Sequence, residues 1–335
     1  MKSLGYLGIL LLALVCTSTW NYANAQSIAS FGSPIEVSSI QTPCAPAVTS
    51  YGTYLVMAYT SNDYHYVNFA FSTDGSNWTY IGRSSYSVPS AASACSPAIA
   101  VFNNQVYVSF ITGGNNLIVN TLEPPYTSPY NFTTWQSLGD QSINISLGQN
   151  YLTSVSPGMA VYNGRLMIIY GSGINGSGLP DGYELTYSTD GQNWTSTRSG
   201  LGAAGIASQN APALSVLNGM LYMTFQQNNS QHYLWSAVSL DGFTWTTTQH
   251  TNLAYGGAPT MIPWNNQLLI AFQQNNSNRN LFQTGTFDFN EFYTQEDTGT
   301  QMGSAGSLVT FNNLIFLYYK QNNSQNNLFY DVAPE

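Results

Sequence analysis

The sequence predicts an all-β protein: a six-bladed β-propeller of four-stranded antiparallel blades, its ring closed by the N-terminal strand pairing into the last blade. Three observations carry this prediction. "FQQNNS" at 225–230 returns at 272–277, and again as "YKQNNS" at 319–324, a step of 47 residues both times. A fixed period of that size marks an array of like units. A small-Pro-small-apolar motif also recurs six times: "CAPAV" (44–48), "CSPAI" (95–99), "VSPGM" (155–159), "NAPAL" (210–214), "GAPTM" (257–261) and "SAGSL" (304–308), with Gly306 in the last proline slot. Finally, every copy opens the same sequence of strands and turns.

Within each unit a short apolar strand leads into a turn such as "YNG" (162–164), "LNG" (217–219), "WNN" (264–266) or "FNN" (311–313). Asn-Gly and Asn-Asn tolerate the positive φ that tight hairpins require. The second strands are "YLVMAY", "QVYVSF", "RLMIIY", "MLYMTF", "QLLIAF" and "LIFLYY". Their nearly unbroken apolar character predicts burial on both faces. A polar loop, a third strand, another tight turn and a tryptophan-bearing fourth strand complete the unit. Four antiparallel strands in about 50 residues make a propeller blade. The sixth unit stops after "NNLFYDVAPE", one strand short. The stretch "SIASFGSPIEV" at 27–37 offers the spare strand, with Phe31 where other blades carry Trp. Closing the ring in this way removes two exposed sheet edges.

The first 25 residues read as a secretory signal peptide: Lys2, an apolar run from Leu7 to Val15, and Ala23-Asn24-Ala25 before a cut ahead of Gln26. Residues 26–335 then form one propeller domain, expected to be secreted or periplasmic, monomeric and without membrane insertion, since no later segment reaches about 20 uninterrupted apolar residues. Charged residues are only 6% of the chain, and the net charge is −9. Beyond the signal peptide the basic residues are Arg83, Arg165, Arg198, Arg279 and Lys320. Nucleic acid is excluded as a partner, because neutralising phosphates needs clustered Lys and Arg. Cys44 and Cys95 each precede a small-Pro-small motif at the start of an inner strand. Inner strands converge near the axis, which predicts a disulfide between blades one and two.

Three blades share one turn between strands three and four: "STDGSNW" (72–78), "STDGQNW" (188–194) and "SLDGFTW" (239–245). Asp heads the turn and accepts backbone N–H groups, Gly supplies the conformation, and Trp covers the hairpin. Blade five keeps the variant "TFDFNEF" (286–292), and blade two only Trp135. The motif resembles the Asp-box of the sialidase and BNR-repeat superfamily, Ser-x-Asp-x-Gly-x-x-Trp, with Gly one place earlier and the whole one residue shorter. The resemblance implies the six-bladed fold, and it implies that Asp74, Asp190 and Asp241 are structural, because in that family these turns lie opposite the active site.

The loop after strand two then belongs to the other face, where propeller ligands commonly bind. Gln226, Asn228 and Asn229; Gln273, Asn275 and Asn276; and Gln321, Asn322 and Asn323 are expected there around the axis. Amides both donate and accept, which suits neutral hydroxylated ligands such as sugars. Tyr64, Tyr66 and Tyr233, with Tyr151, Tyr183 and Tyr255, could stack on apolar sugar faces. The same amides could instead simply build the turns. Their "NNS" triplets are N-glycosylation sequons, as are sites at Asn77, Asn131, Asn144, Asn175 and Asn193.

These features predict a carbohydrate-binding, lectin-like propeller without catalysis. The alternatives are a glycoside hydrolase acting on a neutral sugar, or an interaction scaffold of the cell envelope. A hydrolase needs paired carboxylates, and Asp63, Asp140, Asp181, Glu184, Glu296 and Asp297 are the loop-face candidates. The family resemblance would require of a sialidase three arginines, an Asp acid and a Tyr–Glu pair. The Phe/Tyr-Arg-x-Pro motif that carries one of those arginines is replaced by "FGSPIEV", so sialidase activity is not expected. His65, His232 and His250 fall in different units with no Cys cluster, and no glycine-rich loop leads into a helix. No metal and no cofactor are expected.

Overall fold

The computed structural model describes residues 28–89, 95–114, 116–125, 135–143, 155–172, 182–198, 210–227, 230–293, 295–303 and 306–335. The leader expected at 1–25 lies outside them. Twenty-four strands form six four-stranded antiparallel sheets. The N-terminal strand is β1 (Ile35–Gln41). Blade one holds β2 (Ala47–Tyr51), β3 (Tyr54–Thr60), β4 (Tyr66–Ser72) and β5 (Thr79–Ser87). Blade two holds β6 (Ala98–Phe102), β7 (Gln105–Ile111), β8 (Leu117–Glu123) and β9 (Gln136–Ser142). Blade three holds β10 (Gly158–Tyr162), β11 (Arg165–Ser172), β12 (Gly182–Ser188) and β13 (Thr195–Arg198). Blade four holds β14 (Ala213–Leu217), β15 (Met220–Gln226), β16 (Tyr233–Ser239) and β17 (Thr246–Ala254). Blade five holds β18 (Thr260–Trp264), β19 (Gln267–Gln273), β20 (Asn280–Thr286) and β21 (Glu296–Gln301). Blade six holds β22 (Ser307–Phe311), β23 (Leu314–Lys320) and β24 (Asn327–Pro334), and its order is β1-β24-β23-β22.

The predicted turns have the predicted conformation. Asn163 and Gly164, Asn218 and Gly219, Asn265 and Asn266, and Asn312 and Asn313 all have positive φ. The second strands are buried on both faces, because each blade packs between two neighbours. Leu55 to Thr60 and Val106 to Ile111 are buried without interruption, whereas the outer strand β21 exposes or half-exposes every residue. Six apolar clusters, one per blade interface, make up the core. In each, an aromatic side chain from the outer part of one blade packs on the preceding blade: Trp78, Trp135, Trp194, Trp245, Phe292 and Phe31.

Phe31 therefore takes the tryptophan's place, between blades five and six. The strand itself differs from the expectation of 27–37. It starts after Pro34 and runs to Gln41, because Pro has no N–H to give a ladder and stands outside or at the start of a strand. The preceding segment is tied separately, Gly32 N donating to Val332 O at 2.9 Å. Val37 and Ile40 face the core between blades six and one. Their three-residue spacing departs from strand alternation because the register slips between Glu36 and Gln41. Cys44 and Cys95 are bonded, with Cα atoms 5.9 Å apart and both side chains fully buried.

Candidate functional site

The Asp carboxylates bond within their own turns, while neighbouring blades bond to the turn backbone, as Tyr318 does to Gly75 O at 2.7 Å. Asp74 Oδ1 accepts the N–H groups of Ser76 and Asn77, both at 2.8 Å, and Oδ2 accepts Asn77 Nδ2 at 2.7 Å. Asp190 repeats this with Gln192 and Asn193, and Asp241 with Phe243 and Thr244. These donors hold all three carboxyl groups below the usual carboxylate range, since hydrogen bonds to the charged form favour it. In blade five, Phe289 occupies the Gly slot at φ 66° and meets the Tyr222 ring edge to face.

The opposite face is built by the loops after the second strands and by the blade-to-blade connections. A left-handed residue precedes the third strand in blades one, four, five and six: His65, His232, Arg279 and Asn326. Its carbonyl accepts the N–H that ends the outer strand, from Val88, Tyr255, Met302 and Thr42 in turn. Two of the predicted amides serve the same join. Gln226 and Gln273 are buried, and each donates from Nε2 to the carbonyl leaving its own blade, Tyr255 O and Met302 O.

Other amides fold back on their own loops. Asn276 Oδ1 accepts the N–H of Asn278 and Arg279, both at 3.0 Å. Asn323 Nδ2 donates to Gln321 Oε1 at 2.8 Å. Asn322 is exposed, and Asn228 and Asn229 lie outside the described residues. Among the described residues of the three loop copies, only those of one line the axis. That copy is blade five's: Gln273, Gln274, Asn275 and Asn276 line an axial cavity of about 320 Å³.

That cavity is completed by Ser96, Ser156 and Asn210, with Arg279 as its cation. Ser156 Oγ accepts Ser96 N at 2.9 Å, joining blades two and three at the rim. Beneath lies a narrower throat of about 170 Å³ ringed by all six small-Pro-small motifs. The six inner strands meet here, so the motif is small by necessity. A Cβ on Gly158 would stand 2.6 Å from Pro212 O. Sequence reasoning did not select Ser96, Ser156 or Asn210; the signal was present in the same motif, whose polar positions open onto the axis. Lys320 stands where blades four and five have Gln226 and Gln273, its ammonium pKa lowered by burial and by the charge of Arg279.

The predicted tyrosines are dispersed. Tyr64 is 70% exposed. The Arg83 guanidinium covers the Tyr66 ring at 4.4 Å. Tyr233 is half-buried in β16, and Tyr183 and Tyr255 are buried in the core between blades, so neither ring is open to a ligand. Tyr151 and Asp181 lie outside the described residues. Among the other carboxylates, Asp140, Glu296 and Asp297 belong to outer strands instead of loops. Asp140 accepts Ser85 N at 2.6 Å and Asn120 Nδ2 at 3.0 Å. Glu296 accepts Gln283 Nε2 at 3.0 Å, and Asp297 accepts Asn280 Nδ2 at 2.9 Å. Glu184 lies in β12, opposite Tyr170 of β11. No carboxylate lines the axial cavity among the described residues.

No protein-family model matches the sequence, and no curated protein matches it. Solved structures do match its fold, which is the sialidase-like six-bladed propeller. The α-L-arabinanase of Penicillium chrysogenum, complexed with arabinobiose, superposes with a TM-score of 0.65 at 10% identity, over 91% of this chain and 98% of that one. The α-L-arabinofuranosidase of Fusarium graminearum, with an iminosugar inhibitor, gives 0.63 at 12%, over 92% and 97%. The sialidase of Trypanosoma rangeli, with the inhibitor DANA, gives 0.62 at 15%, over 92% of this chain but 55% of its own. These likenesses correct the expectation of a lectin-like protein without catalysis: the counterparts matched along their whole length are glycoside hydrolases.

Proposed function

We propose that this protein is a secreted glycoside hydrolase that acts on a neutral, pentose-containing saccharide in the axial cavity. The observation that carries the reading is the cavity lining, amides and hydroxyls with the single cation Arg279. Such a surface offers paired donors and acceptors to sugar hydroxyls, whereas a carboxylate-bearing sugar is held by several converging arginines. The two structures matched from end to end hydrolyse arabinosyl linkages by name, which supports the same choice.

Hydrolysis needs two carboxyl groups about 5–10 Å apart. With Asp140, Glu296 and Asp297 committed to outer-strand bonds and Asp63 in a groove at the edge of blade one, the remaining sequence candidates, Asp181 and Glu184, are the pair to test. The experiment measures pentose release from 4-nitrophenyl α-L-arabinofuranoside and from linear arabinan. The wild-type protein is expected to turn both over. Asp181→Asn and Glu184→Gln are expected to lower kcat by at least a factor of about 100, the order that general acid–base groups contribute. A folded wild-type protein that releases nothing from a panel of neutral aryl glycosides would sink the proposal.

A further inference from the structure

Away from the axis the same face carries a second polar groove, of about 310 Å³, at the seam where β1 of blade six meets blade one. One wall is Gln41, from the strand that closes the ring; the other is Ser61, Asn62 and Asp63, from the loop after β3; Tyr59 and Asn68 line it between them. The third amide-rich loop buttresses both walls. Asn326 Nδ2 donates to Asn62 Oδ1 at 2.5 Å, and Asn327 Oδ1 accepts Gln41 Nε2 at 3.4 Å. The two related loops thus serve different places: blade five's copy lines the axial cavity, and blade six's copy props the seam.

The groove's chemistry is specific. Gln41, Asn62 and Asn68 each present a donor and an acceptor, and Asp63 adds a carboxylate that holds the Ser61 side chain and the Tyr64 N–H, the latter at 2.7 Å. Tyr64, the next residue in the chain, is 70% exposed. Carboxylate and amides together are the groups that recognise the hydroxyls of a neutral saccharide. A phosphate or other anion would meet Asp63 with no Lys or Arg in the lining. The size is at the lower end for ligand pockets, enough for a short stretch of a chain.

We infer that the seam groove is a secondary saccharide-binding site, which holds a neutral polysaccharide against the loop face while another part of it occupies the axial cavity. The inference rests on the hydrolase reading for its choice of polymer, and the test separates the two. Gln41→Ala and Asn62→Ala change exposed side chains that belong to neither the core nor the axial cavity. Calorimetry with arabinohexaose, xylohexaose, cellohexaose and mannohexaose reports binding without turnover. Kinetics on linear arabinan and on 4-nitrophenyl α-L-arabinofuranoside report catalysis. At least one hexasaccharide is expected to bind, and each variant to weaken it about five-fold or more. KM for the polymer should rise in step, with kcat/KM for the aryl glycoside unchanged. Hexasaccharide affinity equal in wild type and both variants, or no binding by any of the four, would overturn the site. Failure of the folded wild-type protein to cleave any of the panel of neutral aryl glycosides overturns the hydrolase reading alone.

Discussion

Blade four and blade six are two steps of one 47-residue repeat, yet they are assembled differently. Blade four is a single continuous stretch from Ala213 to Ala254, while blade six joins β22–β24 to β1 from the other end of the chain. Their cores differ at matching positions. Blade four has Phe225 and Ala237, both fully buried; blade six has Tyr319 and Asp331, also fully buried. The Tyr319 hydroxyl donates to Asp331 Oδ1 at 3.0 Å. Next to them the N-terminal segment is held by Gln283, whose Nε2 donates to Ala29 O at 2.6 Å. Blade four has buried polar bonds too, Gln226 Nε2 to Tyr255 O and Ser236 Oγ with His250 Nε2 at 2.7 Å, but these lie within one continuous stretch of chain. A blade closed by a separate chain end must also satisfy the backbone groups of that end, and it does so with directional polar bonds inside the core.

The disulfide ties the chain to blade two at the point where it leaves the seam. Cys44 lies just after β1, where the chain passes from blade six into blade one, and its bond to Cys95 closes a loop of 51 residues. By the loop-entropy relation a closure of this length stabilises the fold by about 4 kcal/mol. A Cys44→Ser, Cys95→Ser double variant is expected to lose that amount in denaturant unfolding. Its β1 amides should exchange with solvent faster than those of β14–β17. Equal exchange in the two blades would mean that the seam is no weaker than a continuous blade.

The continuous blades can be broken at a different kind of point. Gly191, at φ +78° in the blade-three turn, would place a Cβ 2.0 Å from the Tyr107 hydroxyl oxygen of blade two, whereas Gly52, at φ +57°, has open space around it. Gly52→Ala incurs only the left-handed backbone penalty, about 1 kcal/mol. Gly191→Ala adds overpacking at the blade interface and should cost about 3 kcal/mol. The two melting curves, measured side by side, separate conformation from packing.

Much of this architecture could be read in the chain, and the reasons are local. Asn163-Gly164 and Asn265-Asn266 announce their hairpins because few other residues adopt positive φ. The six small-Pro-small motifs announce the axis because larger side chains would collide there. The sites were less legible. Gln226 looks like Asn275 in the sequence, yet burial makes one a clamp and leaves the other on the cavity wall. Ser96, Ser156 and Asn210 come from three blades, and only the closed ring brings them together. Phe31 was placed correctly by its repeat position, but the strand boundary after Pro34 was not. Asp331 gave no signal, since a carboxylate in an alternating strand reads as a solvent-facing residue.

Asp331 also gives the finest test of the comparison between seam and continuous blade. Burial pushes its carboxyl up to about 6, against the Tyr319 hydrogen bond that favours the charged form. The ordinary carboxylate value is near 4, so between about pH 4 and pH 6 the folded protein keeps a proton that the unfolded chain releases. The associated stability is fully present below pH 4 and is lost as pH rises through 6. Above that, blade six encloses a charge that blade four, with Ala237, never carries. Asp331→Asn keeps an oxygen for the Tyr319 hydroxyl and cannot ionise. It should match the wild type at pH 4 and exceed its stability by roughly 3 kcal/mol at pH 8, read from urea unfolding at the two pH values. A variant weaker than wild type at both would show instead that the carboxylate, charged, is what the ring closure requires.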